Sequence, residues 1–203
     1  MIKNLILDFG KVLVDYDFNA FFRNYIPDAQ RCEKVISIIN NPTVQNAMDY
    51  ENVSVREFID SLVSANPEYE AEIRYFDEHY PEIVTSEVPG MREVLQYYKQ
   101  KGMKLYGLSN WCSKVYKTMA QFPIFKLLDG YVVSSEEHQI KPNPPIYKIL
   151  FERFGLKPEE CVFADDKPEN IIAGEQLGMR GIVFTTSADY REKLGEIIKR
   201  SEK

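Results

Sequence analysis

The stretch CVFADDKPENIIAGEQLGM, residues 161–179, decides the fold of this chain. It starts as a short apolar run, reaches the adjacent aspartates Asp165 and Asp166, and continues as a helical pattern that closes at Gly178. A short apolar strand followed by a helix is typical of a parallel sheet with both faces covered. The two neighbouring carboxylates repel each other, and a hard cation is the economical way to hold them.

The same alternation extends on both sides of this stretch. Short, continuously apolar runs predict buried parallel strands. From residue 91 onward, the segments before, between and after these runs predict helices of crossover length. Together they predict an α/β fold with a doubly wound parallel sheet. The predicted strands cover residues 5–9, 104–108, 130–133, 161–164 and 181–184, and the predicted helices 91–102, 113–121, 144–154, 168–177 and 189–200.

The residues between Asp8 and Pro89 do not follow this alternation. They contain helical patterns separated by Asn-Pro and Tyr-Pro pairs, and no convincing strand. We therefore predict a helical cap domain, residues 15–86, inserted into a core domain of residues 1–14 and 87–203. Hinges are expected near Asp15 and between Ser86 and Gly90. The helical patterns of the cap cover residues 18–26, 29–40, 54–65 and 68–80.

Composition excludes several classes of function. The net charge of −6 argues against a nucleic-acid partner, which usually needs a clustered basic face. No apolar run approaches the roughly 20 residues of a membrane span. Three widely spaced cysteines favour a reducing compartment, so we expect a cytoplasmic protein without a membrane partner. Two histidines without a metal-binding motif argue against zinc catalysis and a Ser-His-Asp triad.

Polar side chains follow three of the predicted strands where they end. Asp8 lies at the end of the first strand, Ser109 directly after the second, and Asp165–Asp166 directly after the fourth. Because ligands bind beyond the carboxyl ends of parallel strands, these groups are expected at one rim of the sheet. Taken alone, an aspartate after a strand is more often a turn or cap residue.

A lysine completes the set. Lys141, before Pro142, has the ordinary interpretation of a surface lysine, and Ser109 with Asn110 has that of a helix cap. In combination, a carboxylate nucleophile, a hydroxyl with backbone amides, a cationic side chain and a metal site are complementary parts of a phosphoryl-transfer centre.

Four segments, in this order, resemble the motifs of the haloacid dehalogenase-like (HAD) hydrolase superfamily. The resemblance covers essentially the whole chain and implies a Rossmann-like core with a small α-helical cap. The first segment is most similar to the subgroup that includes phosphatases of sugar phosphates such as glucose 1-phosphate. The four segments are LILDFGKVL (5–13), LYGLSN (105–110), IKP (140–142) and VFADDKPENIIAGEQLGM (162–179).

The resemblance implies a nucleophile and a metal site. Asp8 would attack phosphorus and form an aspartyl-phosphate, which water then hydrolyses. Magnesium would be bound by Asp8, the backbone carbonyl of Gly10, and the pair Asp165–Asp166.

It also implies a phosphate site for a small-molecule phosphate ester, expected to be a sugar phosphate. Ser109 and the backbone of Asn110 would hold a phosphoryl oxygen, and Lys141 would balance the charge of the nucleophile and the phosphate.

One position departs from the family pattern. Most phosphatases of the superfamily carry a second aspartate as general acid and base where this chain has Gly10, and a glycine where it has Lys11. Three interpretations follow: a good leaving group, replacement by Asp15 or Asp17, or a catalytically weak protein that binds a phosphometabolite. Asp17 precedes a helical pattern and is favoured as its N-cap.

Two other interpretations concern the reaction and the pocket. A haloacid dehalogenase is less favoured than a phosphatase, because the acidic pair Asp165–Asp166 favours a metal site that dehalogenases do not need. The aromatic residues of the cap recur at helical spacing, which favours core packing for most of them. Tyr50 and Trp111 are predicted to contact substrate at the mouth of the pocket.

Overall fold

A five-stranded parallel sheet forms the centre of the protein. The computed structural model describes residues 1–201. Neighbouring strands pair in parallel and lie in the order β5-β4-β1-β6-β7, which confirms the predicted sheet with ends shifted by one or two residues. The strands are β1 (Asn4–Leu7), β4 (Lys104–Ser109), β5 (Gly130–Val133), β6 (Cys161–Asp165) and β7 (Arg180–Val183).

The sheet is buried on both faces. All residues of the central strands β1 and β6 are buried. Leu5 and Leu7 pack into one hydrophobic cluster, and Ile6 between them packs into a second one on the other face. Successive side chains of a strand point to opposite faces, so a strand covered on both sides reads as an unbroken apolar run.

Helices cover the two faces of the sheet. The long predicted core helices are all present, and Gly155 takes the left-handed backbone (φ 61°) that ends one of them. One short helix, α8, was absent from the sequence-based prediction. The helices are α6 (Met91–Gln100), α7 (Val115–Gln121), α8 (Ser134–Glu137), α9 (Pro144–Phe154), α10 (Pro168–Gln176) and α11 (Ser187–Ser201).

The segment between β1 and α6 is mainly helical, and it contains one helix more than predicted. The additional helix, α3, begins after Asn41, whose side chain accepts a hydrogen bond from the Thr43 backbone amide, with Pro42 in the first turn. Asn41-Pro42 is therefore a helix start rather than only a break between helices. The helices are α1 (Phe18–Tyr25), α2 (Ala29–Ile39), α3 (Pro42–Tyr50), α4 (Val55–Ala65) and α5 (Glu70–Glu78).

The prediction that this segment contains no strand is wrong. Val14–Tyr16 (β2) and Val84–Glu87 (β3) pair as a short antiparallel ribbon. Both strands are short and partly exposed, so neither gives a recognisable apolar run. The ribbon lies where the chain leaves and rejoins the core, at the predicted hinges, and the division into core and cap stays a prediction. Within residues 1–201, no helix combines the length and apolar character needed to cross a bilayer.

Candidate active site

The polar residues predicted from the strand ends meet around one cavity of about 330 Å³. Asp8 follows β1, Ser109 ends β4, and Asp166 follows β6. Because these strands are adjacent and parallel, their carboxyl ends lie at the same edge of the sheet. The cavity is lined by Asp8, Gly10, Ser109, Asn110, Lys141 and Asp166, whereas Asp165 lies behind the wall and contacts Lys141.

Lys141 is the electrostatic centre of the site. Its side chain is 1% exposed, and its Nζ lies 2.8 Å from Oδ1 of Asp8 and 2.6 Å from Oδ2 of Asp165. A third hydrogen bond, of 2.8 Å, goes to the carbonyl of Leu108 at the end of β4. Burial alone would lower the pKa of Lys141, but the two carboxylates outweigh it and raise the pKa above its usual value. The side chain is therefore a fixed cation, and its interpretation as a surface lysine is wrong.

Opposing effects act on the pKa of the Asp8 carboxylate. Burial raises its pKa, Lys141 lowers it, and the charges of Asp165 and Asp166 raise it again, so the pKa lies above its ordinary value. A further positive charge beside it would favour the ionised form.

Asp165 holds Lys141 in place and is itself hydrogen-bonded to the protein through both carboxylate oxygens. Its Oδ1 accepts hydrogen bonds from the Lys167 backbone amide (2.9 Å) and from Nδ2 of Asn170 (3.0 Å). Its Oδ2 accepts from Lys141 and, at 3.0 Å, from Asn170. The side chain is fully buried, so these donors replace the water that an ionised carboxylate would otherwise bind.

The three aspartates fit a divalent cation. Asp8, Asp165 and Asp166 each offer a carboxylate oxygen, and these oxygens lie within 4.8 Å of one another. Asp166 is only partly buried and lines the cavity, and its pKa is raised by burial and by the charge of Asp165. Oxygen donors of this kind are the ligands that Mg²⁺ prefers.

Asn110 locks the loop that carries Lys141. Its Nδ2 donates to the Lys141 carbonyl at 2.9 Å, and its Oδ1 accepts from the Lys141 backbone amide at 2.7 Å. Neither Ser109 nor Asn110 caps the next helix, α7, whose N-cap is Lys114. The sequence indicates a role only for the Asn110 backbone, and it carries no signal for this pairing of the side chain with a distant loop.

Gly10 faces an aromatic side chain. A Cβ atom at this position would lie 2.9 Å from Cε1 of Tyr16. Lys11 has a left-handed backbone (φ 62°), and its Nζ donates to the Tyr16 carbonyl at 2.8 Å. Lys11 also pairs with Asp15 at 3.3 Å, and Asp17 caps α1, as predicted for it, by accepting from the Ala20 backbone amide.

The cavity also contains residues that sequence analysis did not single out. Helix α3 contributes Gln45, Asn46 and Asp49, and Lys167 follows the acidic pair. Burial raises the pKa of Asp49 to about 7. Its sequence signal, an aspartate at the end of a helix that begins with Asn-Pro, depends on recognising α3. Trp111 lines the cavity, where its contact with substrate stays a prediction, and Tyr50 is not among the lining residues.

Comparison with known proteins identifies the family. The family model described as haloacid dehalogenase-like hydrolase matches residues 2–178. The chain belongs to this family of hydrolases. The match runs from β1 to the end of α10 and thus includes every residue of the site built above.

Relatives of this haloacid dehalogenase-like hydrolase include a D-ribitol-5-phosphate phosphatase of Bacteroides thetaiotaomicron. That protein is 25% identical over 98% of this chain and 99% of its own length. A HAD family enzyme of the same organism, solved with magnesium and inorganic phosphate, superposes with a TM-score of 0.72 at 22% identity, covering 92% of this chain and 96% of that one. The L-2-haloacid dehalogenase of Xanthobacter autotrophicus gives a TM-score of 0.65 at 16% identity over 89% of this chain and 76% of that one. The two structures share the fold of this chain.

Proposed function

We propose that this protein is a magnesium-dependent phosphatase of a small phosphorylated metabolite, with Asp8 as the nucleophile. One observation carries the proposal: Lys141 is held between Asp8 and Asp165 at the wall of a cavity that also presents Ser109 and Asp166. A buried cation beside a carboxylate nucleophile suits a reaction in which negative charge gathers on phosphoryl oxygens.

The reaction would proceed in two displacements on phosphorus. An Asp8 oxygen attacks the phosphorus, and the bond from phosphorus to the alcohol oxygen breaks, which leaves an aspartyl-phosphate. Water then attacks the same phosphorus, and the bond to Asp8 breaks, which releases inorganic phosphate and regenerates the carboxylate. Lys141 offsets negative charge throughout, while Ser109 and the Asn110 backbone hold a phosphoryl oxygen.

The residues that would hold magnesium are Asp8, the Gly10 carbonyl, and the pair Asp165–Asp166. The bound ion would neutralise the phosphate and keep its approach to an anionic nucleophile favourable. Asp166 faces the cavity, whereas Asp165 also carries the hydrogen bonds that orient Lys141. Asn170, which donates to both oxygens of Asp165, would keep that carboxylate in place.

The substrate class we propose is a sugar or sugar-alcohol phosphate. A cavity of about 330 Å³ is at the small end of ligand pockets, which are typically about 300–1,000 Å³. Gln45, Asn46 and Lys167 give its wall polar groups that can bind hydroxyls. The full-length relative named for ribitol 5-phosphate supports the same class.

Phosphate release from a panel of sugar and sugar-alcohol phosphates tests the proposal. The native protein is measured with magnesium and with a chelator, beside Asp8→Asn and a control, Asp60→Asn, which changes an exposed carboxylate on α4. We expect turnover that requires both the metal and Asp8 and is unaffected by the control. Full activity of Asp8→Asn would contradict the proposal.

Gly10 supports a second candidate, a catalytically weak protein that binds a phosphometabolite. Magnesium-dependent binding of the same esters without turnover would favour it. Halide release from 2-haloacids would favour a dehalogenase, although the acidic pair at 165–166 argues for metal-assisted phosphate chemistry. The structural likeness to a dehalogenase concerns the fold alone.

A further inference from the structure

Hydrolysis of an alkyl phosphate needs a proton donor and a proton acceptor besides the nucleophile. The departing alcohol oxygen must gain a proton, and the attacking water must lose one. Gly10 supplies neither. Within residues 1–201, three carboxylates line the cavity: Asp8, Asp49 and Asp166. Asp8 is the proposed nucleophile and Asp166 a proposed metal ligand, which leaves Asp49.

We propose that Asp49, at the end of α3, is the general acid and general base of this site. The inference rests on the phosphatase reaction proposed above and assigns a catalytic residue that the strand-end motifs do not contain. It is supported by the position of Asp49 on the cavity wall, by the anchoring of its helix to the core, and by the exclusion of other candidates.

The end of α3 is attached to the core by hydrogen bonds at Asp49 and at the two residues that follow it. The Ser134 hydroxyl donates to the Asp49 carbonyl at 2.6 Å. The Ser113 backbone amide donates to Oε2 of Glu51 at 2.7 Å, and Nδ1 of His138 lies 3.2 Å from the Tyr50 carbonyl. Asp49 and the two residues after it are thus bound to the loop after β4 and to helix α8 with its C-cap, which fixes the Asp49 backbone relative to the strand ends. A catalytic carboxylate needs this kind of fixed placement.

The surroundings of Asp49 suit an acid that also acts as a base. Its pKa is raised to about 7 as the net result of several effects: burial raises it most, Lys167 lowers it, the charge of Asp8 raises it, and Lys141 and the Cys112 backbone amide lower it. Both protonation states are then populated near neutral pH, where a proton-transfer group is most effective. The charged and titratable groups that interact with Asp49 are Lys167, Asp8, Lys141, Cys112, Tyr80 and Tyr16.

Other candidates near Gly10 are excluded by their positions or their chemistry. Asp15 pairs with Lys11 and Asp17 caps α1, and neither lines the cavity. Tyr16 does line it, but burial and nearby carboxylates raise its pKa to about 12, which leaves it a poor acid near neutral pH.

The proton balance closes over one cycle. In the first displacement, protonated Asp49 gives its proton to the alcohol oxygen as the bond from phosphorus to that oxygen breaks. In the second, the Asp49 carboxylate takes a proton from water as the water oxygen bonds to phosphorus and the bond to Asp8 breaks. Asp49 ends protonated, and ester plus water has become alcohol plus phosphate.

Leaving-group dependence tests the assignment. Asp49→Asn is compared with native protein, Asp8→Asn and Asp60→Asn on ribitol 5-phosphate and on p-nitrophenyl phosphate, whose leaving group departs without a proton. For ribitol 5-phosphate we expect kcat to fall by a factor on the order of 10²–10⁴ with little change in KM. For p-nitrophenyl phosphate we expect a burst near one p-nitrophenolate per enzyme, then slow turnover, because only the second displacement needs the base.

The outcomes separate this inference from the proposed function. Unchanged kcat in Asp49→Asn, or equal losses on both esters without a burst, overturns the role of Asp49 while Asp8-dependent turnover still supports the phosphatase. No turnover by native protein on either ester overturns both. If Asp49→Asn does not fold, Asp49→Ala decides: kcat restored by added acetate supports the role, and no restoration overturns it.

Discussion

The ring of Tyr16 occupies the space into which a side chain at Gly10 would project. A Cβ atom on Gly10 would lie 2.9 Å from Cε1 of Tyr16, which is closer than two carbon atoms normally approach. Lys11 holds this arrangement, since its Nζ donates to the Tyr16 carbonyl and lies 4.6 Å from the centroid of the Tyr16 ring. The loop after β1 therefore leaves no space for a side chain at position 10, and a carboxylate cannot be added there without moving Tyr16.

Gly10→Asp is therefore expected to destabilise the protein and not to raise turnover. Overpacking of this kind typically costs about 1–3 kcal/mol. Chemical denaturation of Gly10→Asp, Tyr16→Ala and the double variant measures it. We expect the aspartate to cost less in the Tyr16→Ala background, because the clash is then removed. Equal costs in both backgrounds would mean that the ring does not restrict position 10.

Lys141→Met is expected to lower stability strongly when magnesium is absent. It leaves Asp8 and Asp165 buried together without their shared cation, and breaking a buried ion pair in this way costs about 3–5 kcal/mol. Denaturation in chelator measures the loss. The control is Lys193→Met, which removes an exposed lysine paired with Asp189 and should cost at most about 1 kcal/mol. Similar losses for the two variants would contradict the central position of Lys141.

The sheet was predictable because its strands are buried on both faces and therefore read as unbroken apolar runs. The β2–β3 ribbon was not, since each strand is short and partly exposed. Helix α3 was missed for a different reason: Asn41-Pro42 was interpreted as a break, although Asn at the N-cap and Pro in the first turn also begin helices. Because α3 was not predicted, Asp49 was not recognised as a residue of the site.

The site residues that could be predicted are those whose positions are fixed by the ends of the strands. Asp8, Ser109 and Asp166 lie on the same cavity because adjacent parallel strands end together. Contacts between distant segments were not predictable. Lys141 lies in a loop, and only the fold shows that its Nζ reaches two carboxylates. The contact of Tyr16 with Gly10 likewise depends on the turn taken by Lys11.

Asn170→Ala is expected to weaken magnesium binding by about 10–100-fold, since residues that orient metal ligands typically have effects of this size. Asn170 is buried and donates to both oxygens of Asp165, so its loss frees that carboxylate to turn and leaves Lys141 less well held. Calorimetric titration with magnesium measures the affinity. Asn52→Ala, an exposed position between α3 and α4, is the control and should bind normally. Unchanged affinity in Asn170→Ala would show that Asp165 needs no support from it.

Asp49→Asn is expected to stabilise the protein, and the gain should grow as the pH rises. The folded protein raises the pKa of Asp49 from its ordinary 3.8 to about 7. For a carboxyl group, a raised pKa favours the folded state below 3.8, and this advantage is lost as the pH rises toward 7. Asparagine carries no charge at any of these pH values, so the variant does not lose folding free energy through ionisation at position 49.

The full shift corresponds to an upper limit of about 4 kcal/mol, of which about 3 kcal/mol should appear between pH 5 and pH 8. Chemical denaturation in chelator at the two pH values measures the difference between native protein and Asp49→Asn. Asp60→Asn, which changes an exposed carboxylate on α4, is the control. A constant difference for Asp49→Asn would mean that Asp49 ionises without cost in the folded protein. A gain in stability together with a loss of turnover is what a catalytic carboxylate held in an unfavourable environment should give.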